Sequence, residues 1–306
     1  MSKFWFVKFI RDCWNVRTPE KYATYVRACA VEPQAAYFLQ NSAKAGAYPE
    51  GDNGWRYKSE RLPVHDKLLK KYKLDDIAGQ GSAFERALRL MGWLTAHTWY
   101  SGMSFWSILW FGRNIYQGGW ADSLRVLRYA YGGPFARSLN CGYQAIVLAD
   151  CLLAAGVHAM PVSIQSFSYR PGEEKVIPCP NHTVVHAWLP EERRWVMLDP
   201  SFNSYISDNT GRALNLIEIQ RRHRQGESLS VAQYNLNGTR DCMREYLDGF
   251  ILGSLLEIQA WDGADRKGGL RNRLLPEDVP RKEEEARAIT SAELLAEPIA
   301  EEAANL

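Results

Sequence analysis

The sequence predicts an α+β fold in which a helix that begins with a cysteine packs on a small antiparallel sheet, with mostly helical flanking regions. Three observations support this class. Capped segments with helical apolar spacing occur between positions 82 and 155. Runs of β-branched and aromatic residues follow over 182–199. The composition, 46% hydrophobic and 24% charged, is that of a chain with a real core.

The 306 residues divide into four regions. We expect a helical N-terminal region over 1–73, the core over 74–220 and a helical C-terminal region over 221–275. The last stretch, 276–306, holds nine acidic and three basic residues but few large apolar side chains. Because such a stretch has little apolar surface to bury, we expect an acidic tail that is disordered or helical.

Two helices are expected before the cysteine. Ser82 and Glu85 have the spacing of a capping box, and apolar side chains follow at helical intervals. A second helix is predicted over Ala121–Tyr131, because the Gly-Gly-Pro sequence that follows ends helical structure. The apolar positions of the first helix are Phe84, Leu88, Met91 and Leu94.

The central segment is predicted to pass from a helix into strands. Asn140 is a favourable N-cap, Cys141–Ala155 has an apolar helical face, and Gly156 suits the position just after a helix. We then expect a strand over Val157–Ile164 and a polar loop over Ser166–Pro180. Beyond the strands, Ala213–Arg224 is expected to form a helix.

A hairpin is predicted from two runs, His182–Trp188 and Arg194–Asp199, joined by a short turn around Pro190. If the turn is centred between Pro190 and Glu191, His182 and Asp199 are directly opposed. Opposed residues of an antiparallel pair lie roughly 5 Å apart at Cβ. That spacing suits a hydrogen bond between an imidazole and a carboxylate.

Cysteine catalysis requires a thiolate, a base and a group that orients the base, and this segment contains candidates for all three. Cys141 is placed in the first turn of its helix, where the macrodipole and free N–H groups favour an anion and lower the thiol pKa. The same N–H groups suit an oxyanion. His182 is the candidate base, and Asp199 is the candidate orienting carboxylate.

The residues from Asn140 to Ala159 and from His182 to Ser201 resemble the transglutaminase-like superfamily, a papain-related fold, in its bacterial form. The shared features are a cysteine that opens a helix ending at glycine, a histidine that opens a strand, and a closing Asp-Pro-Ser. The resemblance implies Cys141 as nucleophile, His182 as general base and acid, and Asp199 as the orienting carboxylate. It further implies a thiol hydrolase or acyltransferase that acts on peptide or protein amides, a protease or amidase rather than a cross-linking enzyme. No metal or organic cofactor is implied.

His186 is an alternative to His182. The superfamily often has His-Ala-Trp at the catalytic histidine, and His186 begins that tripeptide here. Both histidines share one face of the strand, so the strand period does not choose between them. The register favours His182, which lies seventeen positions before Asp199.

Two other classes of function are considered. Cys179, His182 and His186 have a zinc-like spacing, but histidines four positions apart on a strand are roughly 13 Å apart. A scaffold that keeps the fold and binds peptide without catalysis is the second alternative.

Five tryptophans between positions 90 and 120 form either core or a groove for a glycan or extended peptide. They are Trp93, Trp99, Trp106, Trp110 and Trp120.

Bulk properties limit the partners. The net charge of +2 gives no reason to expect a nucleic-acid partner. The uncharged segment Leu90–Gly112 holds too many polar residues for a membrane span, so no membrane insertion is expected. Scattered cysteines without a secretion signal suggest a cytoplasmic location. The substrate, the acyl acceptor and the oligomeric state stay open.

Overall fold

A computed structural model describes residues 46–100, 122–131, 138–168, 177–236, 240–255, 257–261, 271–275 and 286–301. Within these ranges the molecule combines helices with a main six-stranded sheet and three two-stranded sheets. The α+β class predicted from the sequence agrees with this mixture.

Both helices predicted before the cysteine are present among the four that the structure describes there. The capping box of Ser82 and Glu85 is at the start of α3 (Ala83–His97). In α4 (Ser123–Tyr131) the carboxylate of Asp122 accepts the N–H groups of Leu124 and Arg125. These helices are α1 (Pro63–Tyr72), α2 (Leu74–Ala78), α3 (Ala83–His97) and α4 (Ser123–Tyr131). Both of the helices predicted before the cysteine are therefore confirmed.

The cysteine helix, α5 (Cys141–Ala154), begins at the predicted residue. Asn140 is its N-cap, with Oδ1 accepting the Tyr143 N–H at 3.0 Å. Gly156 follows the helix with φ +77°, a conformation that suits glycine. Every residue from Tyr143 to Ala154 is buried, so α5 is enclosed on all sides rather than along one face.

The main sheet is built around the strands that follow α5. β4 (Ala159–Ser168) pairs antiparallel with β5 (Ile177–Leu189), which pairs with β6 (Arg194–Leu198). Both β4 and β5 extend into the expected loop over Ser166–Pro180, and 169–176 lies outside the described residues. The loop prediction was therefore wrong at both ends, because strand pairing continues through polar positions whose backbone the ladder satisfies.

The two faces of this sheet pack against different parts of the chain. On β5, Val185, Ala187 and Leu189 belong to a core shared with α1–α5. Val184 and Trp188 point to the opposite face, as the strand period requires. That second core receives aromatic residues from both sides of the central segment, including Trp55, Tyr57, Phe202, Tyr246 and Phe250.

A buried polar cluster joins three of the helices. Asp150 of α5 contacts His65 Nε2 of α1 at 3.1 Å through Oδ1. Its other oxygen accepts the Ser123 hydroxyl of α4 at 2.6 Å. All three residues are fully buried. A carboxylate in the middle of an apolar helix is tolerated because both of its oxygens have partners.

The region after the predicted core was expected to be helical, and its described part is only partly so. The core itself ends with β7 (Tyr205–Ser207) and α6 (Leu216–Arg224), which runs past position 220. Then come β8 (Ser230–Ala232), the short α7 (Met243–Glu245), a π-helix (Tyr246–Ile251) and a 3-10 turn (Leu252–Ser254). The strands β9 (Glu257–Ala260), β10 (Arg271–Leu274) and β11 (Ala286–Ala288) then complete the main sheet, in the order β11-β10-β9-β4-β5-β6. Local propensity does not reveal these strands, since pairing between distant segments decides them: β9 pairs with β4, and β10 pairs with β9 and β11.

The acidic segment was expected to be a disordered or helical tail, and its described part, 286–301, is ordered against the body. After β11, it forms α8 (Ser291–Leu295) and β12 (Ile299–Glu301), which pairs in parallel with β1 (Lys58–Glu60). The carboxylate of Glu293 is buried and accepts the Trp55 N–H at 2.6 Å. Among the described helices, none is long and apolar enough to cross a bilayer.

Candidate active site

Cys141 occupies the first position of α5, beside the open edge of β5. N–H groups alternate between the two edges of a strand, and that of Trp188 points toward β4, where it donates to His158 O. The Thr183 N–H therefore points toward β6. Because β6 ends at Leu198, opposite Val185, this N–H lies beyond the last strand pair. It donates to the Cys141 sulfur instead.

The first turn of α5 leaves two N–H groups beside the sulfur. Asn140 takes those of the next two residues, Tyr143 through its side chain and Gln144 through its carbonyl oxygen. The N–H groups of Cys141 and Gly142 make no hydrogen bond within the described parts of the chain. Among the described residues, a Cβ built on Gly142 would meet only Asn140 Oδ1, at 3.5 Å. The two N–H groups lie at the positive end of a helix, which favours an anion.

His182 and Asp199 meet, but not by the predicted register. Leu189 pairs with Arg194, so the connecting loop has four residues, and Arg193 has φ +50°. In this register Asp199 would oppose residue 184, which places His182 on the diagonal. His182 Nε2 nevertheless lies 2.6 Å from Asp199 Oδ2, because diagonal neighbours on one face are within reach of long side chains.

Asp199 is held by contacts of its own. It lies just beyond β6 and forms an isolated bridge with Ser204. Its Oδ1 accepts the Ser201 N–H at 2.9 Å, and its Oδ2 accepts the Tyr246 hydroxyl at 2.9 Å as well as His182. The side chains of His182 and Asp199 are fully buried.

The remaining ring nitrogen of His182 is the one available to the cysteine. Nε2 is engaged by Asp199, and Nδ1 is buried and makes no hydrogen bond among the described residues. The Cys141 thiol lies within hydrogen-bonding reach of this ring. Sulfur, imidazole and carboxylate therefore form one connected series in the order Cys141, His182, Asp199.

The contacts favour the ionised forms of both reactive groups. Burial raises the pKa of Cys141, but the hydrogen bond and charge of His182, together with the Thr183 N–H, outweigh it and hold the pKa below its ordinary value of 9.0. Burial lowers the pKa of His182, but the Asp199 charge and hydrogen bond, with Cys141, raise it to about 10. Both shifts favour a thiolate paired with an imidazolium over a neutral thiol and a neutral imidazole.

Three aromatic rings enclose the His182 imidazole. Tyr100, Phe202 and Phe250 lie edge-on to it, with ring centroids 6.5, 5.7 and 5.6 Å away. Tyr100 reaches the site because β2 (Trp99–Tyr100) pairs with β3 (Ser138–Leu139), immediately before α5. These rings keep water from the Asp199–His182 hydrogen bond, whereas Cys141 is only partly buried.

The alternative histidine has a different environment. His186 Nε2 accepts the Leu216 N–H at 3.3 Å, and the ring stacks on Trp195 with centroids 6.2 Å apart. Burial lowers its pKa to about 3, so it is neutral. The structure thus brings His182, and not His186, to Asp199.

The zinc-like spacing does not produce a cluster among the described residues. His182 and His186 lie on one strand, and each has the partner given above. The side chain of Cys179 lies outside the described part, and no three metal-binding side chains converge in the rest of it.

Of the tryptophans considered as a groove, Trp106, Trp110 and Trp120 also lie outside the described residues. Trp93 packs against Tyr72, and Trp99 against the second core.

Three contributors to the site were not predicted. Thr183 acts through its backbone, and its position beside His182 on an alternating strand is a usable sequence signal. Ser204 lies in the turn after Asp199. Tyr246 is 47 positions from Asp199, and no local pattern points to it.

Comparisons with known proteins find little. No protein-family description matches the chain, and no curated protein does. Among solved structures, the periplasmic domain of TgpA from Pseudomonas aeruginosa is similar, with 16% identity and a TM-score of 0.30. The match covers 65% of this chain and 52% of that one, so the chain spans about half the length of that domain.

The location expected from the sequence is corrected by this comparison. The chain was expected in the cytoplasm, whereas the similar structure is a periplasmic domain. The cysteine pattern was a weak guide, because scattered free thiols are compatible with more than one compartment.

Proposed function

We propose that this protein is a cysteine-dependent amide hydrolase or acyltransferase of the transglutaminase-like type, with Cys141 as nucleophile, His182 as general acid and base, and Asp199 as the orienting carboxylate. The observation that carries the proposal is the connected series of these three side chains at the N-terminus of α5. The likeness of the surrounding sequence to that superfamily adds to it.

In the proposed reaction, the Cys141 thiolate attacks the carbonyl carbon of a peptide or protein amide. The N–H groups of Cys141 and Gly142 stabilise the resulting oxyanion. The His182 imidazolium gives its proton to the leaving amine as the C–N bond breaks, which leaves a thioester and a neutral imidazole. His182 then takes a proton from the attacking water or amine, and the thiolate departs. We favour water as the acceptor.

Selective alkylation tests the nucleophile. With iodoacetamide at pH 6.5, Cys141 should react faster than the other five cysteines, as measured by peptide mapping. Cys151 is an internal reference on the same helix, because it is buried and burial raises its pKa well above 9.0. His182→Ala should remove the advantage of Cys141. Equal, slow labelling of all six thiols would instead indicate a non-catalytic scaffold.

Turnover tests the reaction class. A library of peptide amides incubated with the wild-type protein should release amine and carboxylic acid, and Cys141→Ala should not. Inclusion of a primary amine distinguishes the acceptors, since a transferase incorporates the amine and a hydrolase does not. Absence of any acyl-Cys141 species by mass spectrometry across the library would contradict the proposal.

A further inference from the structure

The Asp199 oxygen that lies against His182 also accepts a hydrogen bond from a second residue, Tyr246. The Tyr246 hydroxyl donates to Asp199 Oδ2 at 2.9 Å, and His182 Nε2 lies 2.6 Å from the same atom. Behind it, the Ser204 hydroxyl donates to the Tyr246 oxygen, also at 2.9 Å. All four residues are buried, three of them completely. The donors thus run in one direction, from Ser204 through Tyr246 to the carboxylate.

We infer that Tyr246, reinforced by Ser204, is a positioning residue that sets the acidity of the His182 imidazolium by drawing negative charge from Asp199. This inference rests on the proposed function, in which His182 must give up its proton to a leaving amine. An imidazolium held too tightly by its carboxylate is a poor acid. A second donor on the shared oxygen weakens that hold.

The effect is electrostatic, because other contacts already fix Asp199 in place. Its Oδ1 accepts the Ser201 N–H at 2.9 Å. Its backbone exchanges two hydrogen bonds with Ser204, of 2.8 and 3.0 Å. Loss of the tyrosine hydroxyl therefore leaves the carboxylate in position with one donor fewer. The negative charge of Asp199 then acts more strongly on His182.

Tyr246 is suited to this role across the working pH range. Burial, with the nearby Asp199 charge, raises the pKa of Tyr246 well above 10.0, so the hydroxyl keeps its proton. Ser204 acts in the opposite sense and makes the hydroxyl a better donor. Tyr246 begins a π-helix, a rare conformation that is frequent at functional sites, and Phe250 of the same turn contacts the His182 ring.

Several titratable groups of the described residues face this network. Asp199 and Cys141 act on His182, and the Tyr100 ring touches it from β2. Tyr234 lies against Tyr246, with ring centroids 5.5 Å apart, and also feels the Asp199 charge. The Tyr234 hydroxyl makes no hydrogen bond among the described residues. Tyr234→Phe is therefore a matched control, because it also removes a phenol hydroxyl, but from the neighbouring ring and not from the hydrogen bond to Asp199.

The pKa of His182, measured by NMR on protein with carbon-13-labelled histidine, tests the inference without substrate. The six histidines give six titrating signals at most, and the one missing in His182→Gln identifies the residue. Tyr246→Phe should raise the His182 pKa by about half a unit to one unit, a three- to tenfold change in proton affinity. Ser204→Ala should raise it less, and Tyr234→Phe should leave it unchanged.

The outcomes separate the inference from the proposed function. An unchanged or lowered His182 pKa in a folded Tyr246→Phe protein overturns the role of Tyr246, whatever the activity is. A raised pKa without selective alkylation of Cys141 would support the electrostatic role and contradict the proposed catalysis. In an active protein, Tyr246→Phe should lower kcat severalfold with little change in KM, since the hydroxyl does not touch the substrate.

Discussion

Replacing Asp199 with asparagine would leave the site almost unchanged in shape while removing its negative charge. The Ser201 N–H requires an acceptor at Oδ1, so the asparagine oxygen takes that place and its NH₂ group faces His182 Nε2. That group can only donate. His182 is then held as the tautomer with the proton on Nδ1, toward the cysteine, and cannot accept the thiol proton.

The size of the effect follows from the contacts of Cys141. Without a charged His182, burial is the largest influence left, so the pKa of Cys141 rises. Each unit by which the pKa rises lowers the thiolate fraction at pH 6.5 about tenfold. Asp199→Asn should therefore slow alkylation of Cys141 at pH 6.5 by about tenfold for each unit of that rise.

The assay is the rate of iodoacetamide labelling of the Cys141 peptide between pH 5 and pH 9.5, compared in three proteins. Asp150→Asn is the matched control, because Asp150 is an equally buried carboxylate paired with a histidine, near the far end of the cysteine helix. It should lower stability and leave the pH profile alone. Profiles that superimpose for wild type and Asp199→Asn would refute the ionic account of the site.

Three further outcomes are expected. Asn140→Ala removes the α5 cap and should lower the free energy of unfolding by about 1 kcal/mol in urea titrations; an unchanged midpoint would count against the cap. His186→Phe leaves the buried Leu216 N–H without its acceptor and should lower the free energy of unfolding by about 1–3 kcal/mol. The alkylation profile of Cys141 should nevertheless match that of the wild type, and a shifted profile would give His186 a part in the site. Glu293→Ala removes the acceptor of the Trp55 N–H and should make 286–301 more sensitive to limited proteolysis. Resistance equal to that of the wild type would show that this hydrogen bond does not hold the segment in place.

Features that depend on neighbours in the chain were predictable. The Ser82 capping box, the Asn140 cap and the glycine at 156 are local hydrogen-bonding and backbone preferences, and the structure has all three. The two strands of the hairpin followed from β-branched and aromatic composition. The two helices predicted over Ala121–Tyr131 and Cys141–Ala155 begin and end within two residues of those limits, because their caps and stop signals are also local.

Register was harder to predict, because a single turn residue changes it. The loop from Pro190 to Arg193 contains no glycine, yet Arg193 adopts a positive φ, and the centre of the turn lies one position later than expected. Asp199 consequently moved from a position opposite His182 to a diagonal one. The contact survived because both residues stayed on the same face, which depends on an even shift of two positions.

The sequence by itself determined the capped start of the cysteine helix and the two strands of the hairpin, and so it placed a cysteine at the start of a helix, a histidine on one strand and an aspartate at the end of its partner. Tertiary structure decided which histidine meets the aspartate, that Thr183 N–H bonds the sulfur, and that Tyr246 closes the network from 47 positions away. It also decided that the region after the core completes the sheet. The physical reason is range: caps and periodicity act within a few residues, whereas burial, charge pairing and strand order depend on contacts between distant segments.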